Sequence, residues 1–328
     1  MTAPLRRIAV VGGAGFIGGH FVETLLADPA TEQVTVFDNF SSGRRWHLAS
    51  VEADPRLSVI VGEVSDLESL CTAVAGHDTI IHLASNPDIA AAATNPAIDF
   101  DQGTVLTHCV AEAARRGGVE LVLYASGSGV YGDLGELEAD EHHGPMVPVS
   151  TYGASKLAGE ALLSSYAFMF GLKARCFRFG NVVGARQTHG VGYDFVRRLL
   201  DDPSQLRILG DGRQSKSYVH VEDVIAAVLT AARTVTEPFA VFNVATEDYI
   251  TVTEIAELAT EVLELPAGST AFHYTGGDRG WKGDVPVVRL NSSRIRELGW
   301  KNERSCRQAL HDSLQAMLSD ARAGRFDA

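Results

Sequence analysis

Short apolar runs alternate with segments of helical pattern through the first half of the chain. Apolar residues dominate these runs without strict alternation, which is typical of parallel strands buried on both faces. The predicted strands are Ile8–Val11, Gln33–Phe37, Leu57–Val61, Thr79–Leu83, Glu120–Ser126 and Lys173–Phe179. The predicted helices between them are Gly18–Leu26, Leu67–Ala75, Thr104–Arg116 and Tyr152–Phe170. This repeat predicts an α/β fold with a doubly wound parallel sheet.

The pattern changes after Asn181, where glycines and polar residues crowd the segments 184–192 and 210–217. A helix is predicted to begin near Thr251, because Glu254 follows three residues later at the spacing of a capping box. The stretch Pro266–Gly283 has the composition of a loop. The second part of the chain is therefore expected to form a smaller unit beside the sheet.

Composition excludes several classes of protein. Of 328 residues, 45% are hydrophobic and 21% are charged, as in ordinary globular proteins, which excludes a disordered chain or a coiled coil. The net charge of −13 and the absence of a basic run argue against binding to nucleic acid. No apolar stretch reaches the roughly 18–20 residues of a membrane span, and no signal peptide is predicted. The four cysteines lack metal-ligand spacing, so we expect reduced thiols in a cytoplasmic protein and no metal site.

A glycine-rich loop follows the first predicted strand. Gly12, Gly15 and Gly18 form a G-x-x-G-x-x-G pattern that leads into a helix. Glycines permit the tight turn and let backbone N–H groups approach a pyrophosphate, which the helix N-terminus then stabilises. The strand before the loop and the helix after it are the context that a dinucleotide site requires.

A carboxylate follows the second predicted strand at the position that selects the dinucleotide. Asp38 lies 20 residues after Gly18, where an acidic side chain accepts hydrogen bonds from the adenosine ribose. Its charge would repel a 2′-phosphate, so NAD is favoured over NADP, although Arg44 and Arg45 weaken this interpretation. The alternative is that Asp38 only caps a loop. Glu63 and Asp66 follow the third strand, where they either face the adenine or are solvated.

Tyr152 and Lys156 form a Tyr-x-x-x-Lys pattern on a predicted helix. Residues four apart share a helix face, so the ammonium is expected to lie beside the phenol and to lower its pKa from about 10. Tyr152 would then serve as a base near neutral pH, and Lys156 could also hold the nicotinamide ribose. The alternative is an ordinary pair of neighbours on a helix surface.

Taken together, these motifs resemble those of the extended short-chain dehydrogenase/reductase family, in particular its nucleotide-sugar 4-epimerases similar to UDP-glucose 4-epimerase. The motifs that carry the resemblance are Gly12–Gly18, Asp38–Gly43, His82–Ala84, Val130–Gly132, Tyr152–Lys156, Arg178–Val182, Ser217–Asp223 and Gly280–Pro286. The resemblance implies a Rossmann-like NAD-binding domain over residues 1–180 and about 216–246. It also implies a smaller C-terminal α/β domain for the nucleotide sugar over 181–215 and 247–328, and a homodimer formed through Thr104–Arg116 and Tyr152–Phe170.

The resemblance also implies a mechanism. Tyr152 would remove the proton from the sugar 4-hydroxyl, hydride would pass to NAD, and the 4-keto sugar would turn over before hydride returned to its other face. NAD is regenerated in each cycle and should stay bound. The implied cofactor contacts are Gly12, Gly15, Phe16, Ile17, Gly18, Asp38, Asn39, Ser41, Ser42, Gly43, Glu63, Val64, Leu83, Ala84, Ser85, Tyr152, Lys156 and Val182.

One position departs from the family pattern. Relatives have a Ser or Thr four residues before the Tyr of the Val-Tyr-Gly motif, and this chain has Gly127. Ser128, Ser126 or a water would replace the missing hydroxyl, with Ser128 favoured; alternatively, both serines only satisfy turn backbone groups. Related 4,6-dehydratases carry an Asp-Glu pair directly after that position, and uronate decarboxylases carry a Glu. Here Ser128 and Gly129 stand there, which favours simple epimerisation.

Later segments of the family bind the nucleotide diphosphate and the sugar. Asn181 matches a diphosphate-binding Asn, and Lys216 stands where many relatives have an Arg. The implied substrate contacts are Asn181, Arg186, Arg213, Lys216, Arg279 and Asp284. Arg186 is a candidate for the carboxylate of a uronic acid, although epimerases of neutral sugars often have an Arg there as well. The cations could equally be solvated loop charges, and His189 could be structural.

The sequence therefore predicts an NAD-dependent 4-epimerase of a UDP-sugar, of the glucose/galactose or the glucuronate type. A nucleotide-sugar 4-dehydrogenase or ketoreductase is an alternative, and it would exchange NAD(H) with solution in each turnover. A non-catalytic NAD-binding scaffold is a second alternative, which only Gly127 favours.

Overall fold

Seven parallel strands form the central sheet of residues 5–326, the part of the chain that this computed structural model describes. The strands are β1 (Arg7–Val11), β2 (Gln33–Asp38), β3 (Leu57–Val61), β4 (Thr79–His82), β5 (Leu121–Gly127), β6 (Lys173–Phe179) and β11 (Phe239–Val244). Their spatial order is β3-β2-β1-β4-β5-β6-β11. The chain reverses direction across the sheet between β1 and β4, and such a reversal opens a crevice at the carboxyl ends of the strands. The predicted Rossmann-like α/β fold is confirmed.

The strand positions follow from burial on both faces. All four residues of β4 and the last four of β1 are buried, which explains their continuous apolar runs. Two strands have the predicted bounds, and the other four differ by one residue at one or both ends.

Helices cover both faces of the sheet. Two pack on one face and contribute Phe21, Val22, Val224 and Ile225 to its core, namely α1 (Phe16–Ala27) and α6 (Val221–Thr234). Three pack on the other face, namely α2 (Leu67–Val74), α3 (Leu106–Gly117) and α4 (Thr151–Phe170). A short helix, α8 (Ser293–Glu297), contacts β11.

The remaining elements build a separate core beside the carboxyl ends of the strands. Its helices are α5 (Val191–Asp201), α7 (Val252–Val262) and α9 (Cys306–Arg322), which bury Phe195, Ile255 and Leu314 together. Its strand pairs are β7 (Asn181–Val183) with β10 (Tyr218–His220), β8 (Gln205–Ile208) with β13 (Ala271–Tyr274), and β9 (Ser215–Lys216) with β12 (Ile250–Thr251). Thr251 and Glu254 form the predicted capping box. The predicted domain boundaries stay a prediction.

One sequence prediction about local structure was wrong, and a second was confirmed except for its first turn. The expected loop Pro266–Gly283 contains β13, an exposed four-residue strand whose polar and aromatic residues give no alternation signal. The expected helix Thr104–Arg116 begins as a π-helix over Phe100–Val105 and becomes α-helical at Leu106. A Cβ at Gly103 would lie 2.5 Å from the hydroxyl of Ser155, so α4 approaches this turn closely.

Within residues 5–326, no helix combines the length and apolarity needed to cross a membrane. The same residues contain no group of three His, Cys, Asp or Glu side chains placed to hold a metal ion. The four cysteines are free thiols, and Cys109, Cys176 and Cys306 are buried.

Candidate active site

A cleft of about 960 Å³ lies at the carboxyl ends of the strands, between the sheet and the second core. Its volume is at the upper end of the roughly 300–1,000 Å³ typical of ligand pockets. The glycine loop, the ends of β4 and β5 and the first turns of α4 line one side. Residues of β7, the start of α5 and the segment 281–285 line the other side. Elements far apart in the sequence therefore meet at one site.

The glycine loop adopts a backbone that side chains would block. Gly12 has a φ of +83°, and a Cβ there would lie 2.6 Å from the backbone nitrogen of Ala84. A Cβ at Gly18 would lie 2.3 Å from the carbonyl oxygen of Gly12. No side chain caps the N-terminus of α1, whose first N–H groups adjoin the cleft. These free donors and the positive end of the helix dipole suit a pyrophosphate.

Asp38 is buried at the end of β2 and lines the cleft. Its carboxylate accepts hydrogen bonds from the backbone N–H groups of Ala14, at 2.9 Å, and Phe40, at 2.8 Å. Burial raises the pKa of this carboxyl. Asp38 thus fastens the glycine loop to the loop after β2 and also faces the space where an adenosine ribose would lie. Asp66 instead caps α2 by accepting from the N–H of Ser69.

The structure brings all but one of the predicted cofactor residues to the cleft. Gly43 does not line it; a Cβ there would lie 2.9 Å from Asp38 Oδ1, so Gly43 allows the close packing around Asp38. The amide of Asn39 donates to the carboxylate of Glu63 at 3.0 Å, and both residues line the cleft. The buried hydroxyl of Ser85 has no hydrogen-bond partner among the described residues, which fits a ligand-facing donor.

Tyr152 and Lys156 face the cleft from the first turns of α4, as their spacing predicts. The ammonium of Lys156 lies 5.4 Å from the centre of the Tyr152 ring and donates to the carbonyl of Ala125 at 2.9 Å. Burial lowers the pKa of Lys156 to about 8. The expected low pKa of Tyr152 was wrong: burial, aided by the charge of Asp99, raises it to about 12 in the absence of ligands.

The segment Ser126–Ser128, called here the serine loop, consists of the last two residues of β5 and the first residue of the 3₁₀ turn that follows. A Cβ at Gly127 would lie 4.0 Å from Cε1 of Tyr152, so position 127 faces the phenol with no side chain. The buried hydroxyl of Ser126 donates to Glu160 at 2.5 Å, and Glu160 pairs with Arg178 at 2.7 Å. Ser126 is thus committed to a buried network. Both serines line the cleft, but the hydroxyl of Ser128 makes no hydrogen bond to another described residue and is open to a ligand.

On the opposite wall, the ammonium of Lys216 pairs with Asp284 at 2.6 Å, and both side chains line the cleft with Asn181. The other two predicted cations lie outside the lining. Arg213 is exposed, and Arg279 pairs with Asp133 at 2.5 Å while donating to the backbone of Asp284. Of the four cations predicted to contact the substrate, Lys216 is therefore the one that lines the described cleft.

Arg186, predicted to contact the sugar, does not line the cleft. Its positive φ of 66° turns the side chain toward α1, where the guanidinium pairs with Glu23 and donates to the carbonyl of His47 at 2.6 Å. Burial, with the Arg186 charge, lowers the pKa of His20, which is therefore neutral and accepts from the guanidinium at 3.0 Å. The sequence prediction is corrected: Arg186 fastens its own segment to Glu23 and His47, an arrangement called here the clamp. The neighbouring residues Gln187 and His189 do line the cleft.

The clamp gives a first prediction. Glu23→Gln keeps the volume of the side chain but removes the partner charge of Arg186, so the free energy of unfolding should fall by about 1–2 kcal/mol. Glu32→Gln is the matched control, since Glu32 pairs with Arg6 on the exposed surface and such pairs contribute about 0–1 kcal/mol. Urea unfolding of both variants measures the difference; equal losses would contradict the clamp.

A profile of the NAD dependent epimerase/dehydratase family matches residues 8–245. The chain belongs to this family. NAD is its cofactor, and the glycine loop, Asp38 and the unpartnered Ser85 hydroxyl fit that dinucleotide.

Relatives in the family carry out more than one reaction. The chain is 33% identical over 303 residues to a UDP-glucose 4-epimerase of Mycolicibacterium smegmatis, covering 90% of this chain and 93% of that protein. A crystal structure of a UDP-galactose 4-epimerase matches with a TM-score of 0.83 and 34% identity, covering 96% and 99% of the two chains. DesIV, a dTDP-glucose 4,6-dehydratase of Streptomyces venezuelae solved with NAD, matches with a TM-score of 0.88 and 27% identity, covering 97% and 98%.

Several residues of the cleft were missed by sequence reasoning. Asn86 follows β4, and Asp101 and Gln102 belong to the π-helix. These three residues belong to no motif of the sequence, and they line the cleft because the loop after β4 and the π-helix both border it. Asp99 was also missed; it is buried, accepts from the hydroxyl of Thr151 next to Tyr152, and gave no signal beyond its charge.

Proposed function

We propose that the protein is an NAD-dependent 4-epimerase of a UDP-sugar. The observation that carries the proposal is Tyr152 and Lys156 facing the cleft over a serine loop that carries no carboxylate. Elimination or decarboxylation needs an acid or base beside the phenol, and Ser128 and Gly129 occupy the positions where one would lie. The epimerases among the relatives support the same reaction.

In this proposal the residues divide the work as follows. When bound, NAD supplies the acceptor and donor of hydride. Tyr152 takes the proton of the sugar 4-hydroxyl and later returns it, while Lys156 holds the nicotinamide ribose and Ser128 donates to the reacting oxygen. Lys216 and Asn181 bind the diphosphate. Residues 1–180 and about 216–246 would form the NAD domain, and 181–215 with 247–328 the nucleotide-sugar domain.

The placement of Arg186 favours a neutral sugar over a uronic acid. Its guanidinium is already paired with Glu23, and the ammonium groups of the described lining belong to Lys156 and Lys216. Lys216 is in turn paired with Asp284. Burial lowers the pKa of His189, which leaves that ring neutral at pH 7. A sugar carboxylate in this cleft would lack a cation of its own.

The second prediction follows. UDP-glucose should be turned over with a kcat/KM about 30- to 100-fold higher than that of UDP-glucuronate, because an unpaired carboxylate costs about 2–3 kcal/mol. Initial rates of both reactions, followed by NMR, measure the ratio. Equal rates, or faster conversion of the uronate, would contradict the assignment of Arg186 to the clamp.

The reaction itself is tested by NMR of purified protein mixed, without added NAD, with UDP-glucose, UDP-N-acetylglucosamine or UDP-glucuronate. Formation of the 4-epimer supports the proposal and shows that the cofactor is retained. Turnover that starts only with added NAD(H) would instead favour a 4-dehydrogenase or ketoreductase. If the protein contains NAD but converts none of the three substrates, the result would favour the non-catalytic scaffold, for which Gly127 is the supporting feature.

We also propose a homodimer formed through α3 and α4. The end of α4 exposes Phe168 and Met169, whose side chains are 73% and 71% accessible in the single chain. Light scattering in solution tests this proposal, and a mass of one 35.1 kDa chain would contradict it.

A further inference from the structure

A buried carboxylate is hydrogen-bonded to Thr151, the residue before the proposed catalytic Tyr152. Asp99 is 1% exposed and directly precedes the π-helix. Its Oδ1 accepts from the side-chain amide of Asn86 at 2.9 Å, and its Oδ2 accepts from the hydroxyl of Thr151 at 2.6 Å. Asn86 belongs to the cleft wall, and Thr151 directly precedes Tyr152. Asp99 therefore joins the wall after β4 to the first turn of α4.

Both donors to Asp99 are neutral. Among the described residues, no Lys, Arg or His nitrogen lies within 4.0 Å of this carboxylate, since no ion pair includes it. A buried charge without a close counterion acts over a longer distance, because little water screens it. Its field reaches the two groups of the catalytic pair, raising the pKa of Tyr152 and opposing the burial that lowers the pKa of Lys156.

Other groups around the pair do not compete with this charge. His82 on β4 faces Lys156, and burial lowers its pKa to about 3, so it is neutral. Tyr124 on β5 places its ring 5.2 Å from the Lys156 ammonium and has a raised pKa. Glu160 on α4 is neutralised by Arg178.

We propose that Asp99 is a positioning residue. It fixes the first turn of α4 against the cleft wall, and its charge favours the protonated forms of both Tyr152 and Lys156. This inference rests on the proposed function, in which that pair moves the proton of the sugar. The carboxylate opposes the loss of the Lys156 proton and adds to burial in raising the pKa of Tyr152. A neutral side chain of the same shape would keep the first role and lose the second.

Asp99→Asn separates the two roles. The Asn carbonyl still accepts from Asn86, and its amide can donate to the Thr151 hydroxyl, which rotates to accept. NMR of protein labelled with ¹³Cζ-tyrosine follows the ionisation of Tyr152, and Tyr152→Phe assigns its signal. With the pKa lowered by about one pH unit from about 12, the ionised fraction at pH 10.5 should rise from about 3% to about 24%.

Asp101→Asn is the control, because Asp101 lies two residues after Asp99, on the π-helix, and its charge does not shift the pKa of Tyr152 or Lys156. It should leave the Tyr152 titration unchanged. The acid limb of the pH–rate profile should move to lower pH in Asp99→Asn.

An unchanged Tyr152 titration in folded Asp99→Asn would overturn the inference. A loss of thermal stability with no change in the Tyr152 titration or in the pH–rate profile would also overturn it. If Asp99→Asn does not fold, Asp99→Glu should keep the Tyr152 pKa near that of the wild type, and a fall in that pKa would overturn the inference. The NMR titration requires no turnover. A protein that converts no nucleotide sugar would therefore defeat the proposed function while leaving this test intact.

Discussion

Tyr152→Phe should lower kcat for 4-epimerisation by about 10³-fold while the protein still copurifies with NAD. The substitution removes one oxygen, and general acid–base groups contribute about 10²–10⁴-fold to a rate. The binding of NAD should survive, because the glycine loop, Asp38 and Lys156 are untouched. Conversion of UDP-glucose followed by NMR measures the loss, and the absorbance of released cofactor measures NAD content.

Tyr166→Phe is the control for this prediction. Tyr166 lies on the same helix, and its hydroxyl contacts Glu112 at 3.3 Å, outside the residues that line the cleft. Its kcat should stay within about twofold of the wild type. A Tyr152→Phe variant that keeps more than a tenth of the wild-type rate would show that another group moves the proton.

The pKa of Tyr152 explains why the pair should need its cofactor. Burial raises the pKa of the phenol to about 12 and lowers that of the Lys156 ammonium to about 8. The positive charge of oxidised NAD bound nearby favours the phenolate. Epimerisation should therefore fall toward acidic pH as the phenolate is protonated, and toward pH above about 8 as Lys156 loses its charge.

The parts of the site that the sequence predicted are those that local geometry determines. The glycine loop needs its glycines because their Cβ atoms would meet the loop's own backbone or that of the neighbouring β4 loop. Tyr152 and Lys156 share a face because four residues make about one helical turn. The parallel strands are recognisable because both of their faces are buried.

The parts that the sequence missed depend on where side chains point after the chain has folded. Arg186 turns toward Glu23 because its backbone has a positive φ, and the sequence does not predict that conformation for an arginine. In the sequence, Ser126 and Ser128 are both candidates to replace the hydroxyl missing at position 127, and only the position of Glu160 distinguishes them. Likewise, the pKa of Tyr152 depends on Asp99, which is 53 residues away in the sequence.

Ser128→Ala should lower kcat by about 10²-fold, because removing a single hydrogen-bond donor to a developing oxyanion costs about 10²–10³-fold. Ser126 and Ser128 both line the cleft, but the Ser128 hydroxyl has no hydrogen-bond partner among the described residues, whereas Ser126 donates to Glu160. Ser126→Ala is the control: its hydroxyl donates to Glu160, so its loss should lower stability and leave kcat within a few fold. Equal losses of kcat would place the missing hydroxyl elsewhere, for example on a water.

Restoring a hydroxyl at position 127 should rescue this loss. Gly127 has an extended backbone with a φ of −161°, which any residue adopts, and a Cβ there meets nothing closer than 4.0 Å. Gly127→Ser in the Ser128→Ala background should therefore raise kcat at least about tenfold. Gly127→Ala in the same background fills the space without a donor and should give no rescue. Equal rescue by alanine would show that packing against Tyr152, and not a hydrogen bond to the reacting oxygen, is what the serine loop contributes.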